Sequence, residues 1–187
     1  MIGAAHRRRS GRGSLAWLVL IVAVGLLLLG LALLPLAKPD AAGREGSLVG
    51  HAAPSLAAVA LDGRTYSLAD GRGRITWVNF WATSCEPCRT EMPAMQRLAD
   101  AYADRLLVLG VDWGESRASV SDFAGRYALR YPILLDPKLD NFYRWSSRDG
   151  LPRHYFVDGR GTVVREVIGP LAPAQMATIL DELIGPA

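Results

Sequence analysis

Between Ile75 and Trp113 the chain twice runs through an apolar stretch, "ITWVNFWA" and "RLLVLGVDW", and each time passes soon afterwards into a segment with helical periodicity. Short continuous apolar runs of this kind read as buried strands. The first is followed by "CRTEMPAMQRLADAYAD", with Met95, Leu98, Ala99 and Tyr102 at helical spacing, and the second by "SRASVSDFAGRYAL", a helix capped by Ser116 or Ser119. Upstream, "SLAAVALDGRTYSL" places the Asp62-Gly63 turn signal between two short strands, a hairpin. Downstream come "YPILLD", a short helix around "KLDNFYRW", the strands "RHYFVD" and "TVVREVIG" joined by the Asp158-Gly159 turn, and a last helix "PAQMATILDELI". Strand, helix, strand, helix, then a hairpin and a helix imply an α/β fold: a mixed central sheet flanked by helices, with an N-terminal hairpin extension. About 140 residues suit a single domain with one core, placed at residues 47–187.

What precedes that domain has another composition. Residues 15–34, "LAWLVLIVAVGLLLLGLALL", carry no charge, and twenty residues rising ~1.5 Å each span about 30 Å, the thickness of a bilayer core. They predict one transmembrane helix. The basic tail 1–14 holds Arg7, Arg8, Arg9 and Arg12 and no acid, which places it in the cytoplasm and everything after the helix outside. A cleaved signal peptide has an apolar core of only about 7–15 residues and a small-residue cleavage site, and "PLAKPDAAG" supplies no clean one. Residues 35–46 read as a flexible tether; a coil running on to residue 50 reaches roughly 20–25 Å. Four of the 21 cations lie in the tail, so 17 face 18 acids in the remainder. A nearly neutral domain has no electrostatic footprint for nucleic acid.

The chain has two cysteines, Cys85 and Cys88, where the first buried strand meets its helix. A closed zinc site needs four ligands, and these are two. A structural disulfide across so short a loop constrains little of the unfolded chain. At a helix N-terminus, unpaired N–H groups and the macrodipole stabilise thiolate, and cysteines so placed titrate at ~3.5–7.5 instead of ~8.5. An exposed thiolate attacks a partner's disulfide, and a second thiol one turn later resolves the mixed disulfide. The spacing therefore predicts redox exchange.

"FWATSCEPCRTEMP" resembles the active site of the membrane-anchored, thioredoxin-like thiol-disulfide oxidoreductases of the TlpA and ResA type. The resemblance implies a thioredoxin fold from about residue 47 onward. It implies Cys85 as the attacking thiol, Cys88 as the buried resolving thiol, and Glu91 as a carboxylate that tunes the cysteines and relays protons. Trp81, Glu86 and Pro87 belong to the site's surroundings, and Asn79 stands where thioredoxin has a buried aspartate. "GLPRHYFVD" is similar to the family's loop with a cis proline facing the cysteines, which would be Pro152. Arg153 and His154 depart from the small or hydroxyl pair usual after it.

Two rival chemistries compete with exchange. Two thiolates and the His154 imidazole would make a soft three-coordinate copper site, so copper delivery on the same fold is the alternative. Known copper-delivery relatives resemble Cys-x-x-x-Cys instead, and His154 is expected to be a strand residue on the face away from the cysteines. A peroxidase needs Thr or Ser three residues before its reactive cysteine, where this chain has Ala82 before Cys85. No cofactor or metal is expected. Trp77 and Trp113 are read as strand residues, Trp145 as the end of a short helix and Trp81 as lying beside the site; His51 is read as solvated.

The direction of electron flow turns on a potential for which 30 mV is only ~1.4 kcal/mol. Glu86 between the cysteines disfavours thiolate and opposes the helix dipole. The resemblance favours a reductant of exported protein disulfides, such as apocytochrome c or the copper-site cysteines of an oxidase, with a disulfide-forming oxidant as the alternative. An anchor helix without cysteine conducts no electrons, so a membrane electron donor is implied. The expected location is the cytoplasmic membrane of a bacterium, single-pass through residues 15–34, with the domain on the periplasmic side.

Overall fold

The computed structural model describes residues 17–26 and 47–187. The chain divides into two units, Met1–Ala41 and Ala42–Ala187. In the first, residues 17–26 form helix α1, exposed along its length. Among the described residues no helix is long and apolar enough to cross a membrane. The rest of the expected span, the basic tail and the tether lie outside the described residues.

In the second unit, strands β3 (Ile75–Trp81) and β4 (Leu106–Asp112) are buried at every position, as their unbroken apolar runs require. They pair in parallel from Ile75↔Leu106 to Trp81↔Asp112. The sheet order is β5-β4-β3-β6-β7, with β5 (Ile133–Leu134) parallel to β4, and β6 (Arg153–Val157) antiparallel to both β3 and β7 (Val163–Ile168). The central sheet is thus mixed, as the element order predicted. β3 sits in its middle, and the cysteines follow directly from its end.

The pleat divides the core in two. Trp77, Trp81, Val108 and Phe156 face helices α2 (Glu86–Ala101), α3 (Arg117–Arg126) and α5 (Pro173–Ile184), meeting Met92, Met95, Phe123, Met176 and Leu180. Val78, Phe80, Leu109, Val111 and Tyr155 face α4 (Asp140–Trp145) and the hairpin of β1 (Ala57–Val59) and β2 (Thr65–Ser67). Each such apolar side chain, fully buried, contributes ~1.5–3 kcal/mol relative to exposure. Ser116 caps α3, accepting from the Ser119 N–H at 3.2 Å. Pro93 lies inside α2, so one N–H is missing from its ladder.

Three details differ from the expectations. β5 keeps only two residues of "YPILLD", because the Asp136 carboxylate turns away to accept from the Asn141 and Phe142 N–H groups at the start of α4. Trp113 lies just beyond β4, its N–H donating to the Trp81 carbonyl at 2.9 Å. His51 is exposed as expected, but the backbone around it is docked: Gly50 N–H donates to the Val163 carbonyl at 2.8 Å and Val163 N–H to the His51 carbonyl at 3.0 Å. Leu48 N–H donates to Glu166 Oε2 at 2.9 Å. At the opposite border Leu61 N–H and Leu135 N–H reach across between the hairpin and β5.

Candidate active site

Where β3 ends, the segment from Ala82 to Ser84 turns the chain into α2 with Cys85 as its N-cap; the Cys85 sulfur accepts the Cys88 N–H at 3.3 Å. Cys85 and Cys88 are joined as a disulfide. Cys85 is half-buried and Cys88 is 1% exposed, so one sulfur is offered to a partner and the other is held inside. Pro87, in the first turn, forgoes an N–H that the helix would leave unpaired.

The segment that carries Cys85 is pinned from β4. Glu115 takes Thr83 N–H at 2.6 Å and the Thr83 hydroxyl on its two oxygens, and its own N–H donates to Asp112 Oδ2 at 2.8 Å. Asp112 is wholly buried at the end of β4. Burial pushes its carboxyl up to about 7; the Glu115 N–H works against the rise and the Glu115 carboxylate adds to it. Sequence reading missed this acid pair. Its one signal was a polar "DWGES" stretch directly after a buried strand, a place where α/β folds gather functional groups.

Glu86 is exposed and ion-paired with Arg89. The negative charge expected to disfavour thiolate beside the cysteines is therefore offset by a cation one turn along, which the sequence reading did not weigh. Arg89 also helps line a cleft of about 280 Å³ with Thr83, Phe123, Arg126 and Tyr127. Trp81 is fully buried, 5.1 Å from the Phe123 ring centroid, and so lies behind this cleft.

Glu91, one turn beyond Cys88 on α2, is 4% exposed. Its Oε1 accepts from the Leu171 N–H, and its Oε2 lies 3.3 Å from His154 Nε2. That contact overturns the expected orientation of His154. Opposite Asn79 in the β3–β6 register, His154 shares the α2 face of the sheet with Asn79 and Phe156, on the cysteines' side. It is 0% exposed, and its Nδ1 meets Trp77 Nε1 at 3.3 Å and Asn79 Nδ2 at 3.2 Å. Period-two alternation could have found this, because Phe156, two residues on, belongs to the same face.

The Leu151-Pro152 bond is cis, as the resemblance implied. Arg153 projects to the other face, over the Phe142 ring, and donates to the Gly150 carbonyl at 2.9 Å and the Arg148 carbonyl at 2.7 Å. The departure at this residue thus staples the loop that precedes Pro152. Among the described residues no cluster of three or more His, Cys, Asp or Glu side chains is arranged to hold a metal.

The chain matches the AhpC/TSA family over residues 49–166, more than half its length. It belongs to that family. It is 38% identical to the thioredoxin-like protein YneN of Bacillus subtilis (strain 168) over 136 residues, covering 71% of this chain and 78% of that one. It is 30% identical to the thiol-disulfide oxidoreductase ResA of Bacillus cereus (strain ZK / E33L) over 145 residues, 76% and 82% of the two. Among solved structures, a thioredoxin-family thiol:disulfide interchange protein from Chlorobium tepidum superimposes with a TM-score of 0.62 at 26% identity, covering 74% of this chain and 98% of that one. StoA from Bacillus subtilis gives 0.58 at 25%, covering 67% and 96%. The fold is thioredoxin-like, and this AhpC/TSA member is a thiol-disulfide oxidoreductase of the ResA type, with its disulfide in the Cys-Glu-Pro-Cys loop.

Proposed function

We propose that this oxidoreductase is a membrane-anchored reductant on the extracytoplasmic side, acting on disulfides of exported proteins such as apocytochrome c or the copper-site cysteines of an oxidase. The observation that carries the chemistry is the asymmetric disulfide, with Cys85 half-buried at a helix N-terminus and Cys88 enclosed. In the dithiol form, Cys85 thiolate attacks one sulfur of the partner's disulfide. That bond breaks, its electron pair leaves on the partner's other sulfur, and a mixed disulfide forms. Cys88 then gives its proton to Glu91 and, as thiolate, attacks the Cys85 sulfur; the mixed disulfide breaks and the partner's remaining sulfur leaves with that bond's electron pair as thiolate. Two electrons pass to the partner, leaving the Cys85–Cys88 disulfide. A membrane protein that supplies electrons from the cytoplasm would restore the dithiol.

Residues 15–34 as anchor, residues 35–46 as tether and the basic tail support the location by composition. The pairing of Glu86 with Arg89 removes one argument for a reductant, leaving the ResA-type likeness as its support. Equilibrating the full-length protein with glutathione or dithiothreitol tests the direction: a potential near or below ~−270 mV is expected, and one near ~−120 mV identifies an oxidant. Cys88→Ser should trap mixed disulfides and Cys85→Ser should abolish exchange; trapping by Cys85→Ser would reverse the two roles.

A further inference from the structure

His154 is buried beside the site in a position that the exchange chemistry above leaves without a task. Its two ring nitrogens face different kinds of neighbour. Nδ1 meets the Trp77 indole Nε1 and the Asn79 Nδ2, and an indole N–H can only donate. Asn79 Nδ2 also reaches the Arg153 carbonyl at 3.4 Å, which marks that atom as a donor too. Nδ1 is therefore an acceptor and carries no proton. The proton of the neutral ring is left on Nε2, 3.3 Å from Glu91 Oε2. Neither atom has a hydrogen-bond partner among the described residues, each other included. A buried N–H and a buried carboxyl oxygen left unpaired 3.3 Å apart are costly, and a small turn of the Glu91 carboxyl would join them.

We propose that His154 is a positioning residue for thiol-disulfide exchange: locked as its Nε2–H tautomer by Trp77 and Asn79, it orients Glu91 for the proton that leaves Cys88. The proposal rests on the proton-accepting role of Glu91. Leu171 N–H occupies Oε1, so Oε2 is the oxygen that His154 governs. Among the described residues the titratable groups near Glu91 include Cys88, three positions before it on α2, His154 from β6, and the buried Tyr131 from the segment before β5, whose hydroxyl burial and the Glu91 charge keep neutral. Tyr131 has no hydrogen-bond partner for its hydroxyl among the described residues and does not compete for Oε2.

Two variants separate orientation from packing. His154→Asn leaves an acceptor near the place of Nδ1 and removes the donor to Glu91; His154→Gln carries an amide N–H to the place of Nε2. The readout is the rate of thiol-disulfide exchange of the full-length protein against pH, beside Glu91→Gln. The expected result is an upward displacement of the midpoint by about one to two pH units in His154→Asn, as for loss of a hydrogen bond to a charged group. His154→Gln should restore the original midpoint. If Glu91→Gln alters the profile but His154→Asn leaves it unmoved, the positioning role is wrong and the Glu91 reading stands; if Glu91→Gln changes nothing, both fall. Nitrogen NMR of the ring checks the tautomer independently of folding in the variants, and a proton on Nδ1 overturns the assignment.

Discussion

The proton on Asp112 has a calculable effect on stability. Its carboxyl lies at about 7 in the folded protein against an ordinary 3.8, so folding favours the neutral form. The contribution is fully present below about pH 4 and is lost as the pH rises through about 7. Asp112→Asn keeps an oxygen for the Glu115 N–H while removing the ionisable group. Urea unfolding midpoints between pH 4 and 8 are expected to fall with pH more steeply in the parent than in this variant; parallel curves would show that Asp112 ionises without penalty. Glu91 carries the other residue-scale prediction. Glu91→Gln should slow resolution of the mixed disulfide by about a hundredfold, the lower range for a positioned proton acceptor, measured as the lifetime of the trapped intermediate.

Among the elements, β4 shows how a missing side chain shapes the site. Gly110 pairs with Asn79 across the sheet, and a Cβ built there would come within 3.0 Å of Tyr131 Cε2 and 3.2 Å of Trp81 Nε1. Both are ring atoms of buried side chains and cannot swing aside as a flexible chain end would. Gly110→Ala should destabilise the fold by ~1–3 kcal/mol, read from the urea midpoint, and an unchanged midpoint would mean the rings have room to yield. The elements themselves were legible from the chain: "ITWVNFW" and "LLVLGVD" are the two central strands, and "PAQMATILDELI" is the last helix residue for residue. Legible too was Cys85 at the helix cap, whereas the cis bond before Pro152 was implied by the family resemblance alone. The side on which His154 lies and the Glu115–Thr83 tie were not read. Both depend on partners 32 or more positions away that only the register brings together.

For the whole molecule, the proposed anchor would place the first 46 residues and the domain in different surroundings. If residues 15–34 anchor the chain, the full-length protein should sediment with membranes and resist alkaline extraction, whereas recovery in the soluble fraction would refute the anchor. A domain held at a surface is held near its own copies, and there the borders of the sheet matter. Residues 50–53 already hydrogen-bond to the start of β7, Arg165 and Glu166 put charge on its remainder, and the hairpin occupies β5. Among the described residues the borders of the central sheet are thus partly covered and otherwise charged, which disfavours growth of a continuous β-structure between chains gathered side by side.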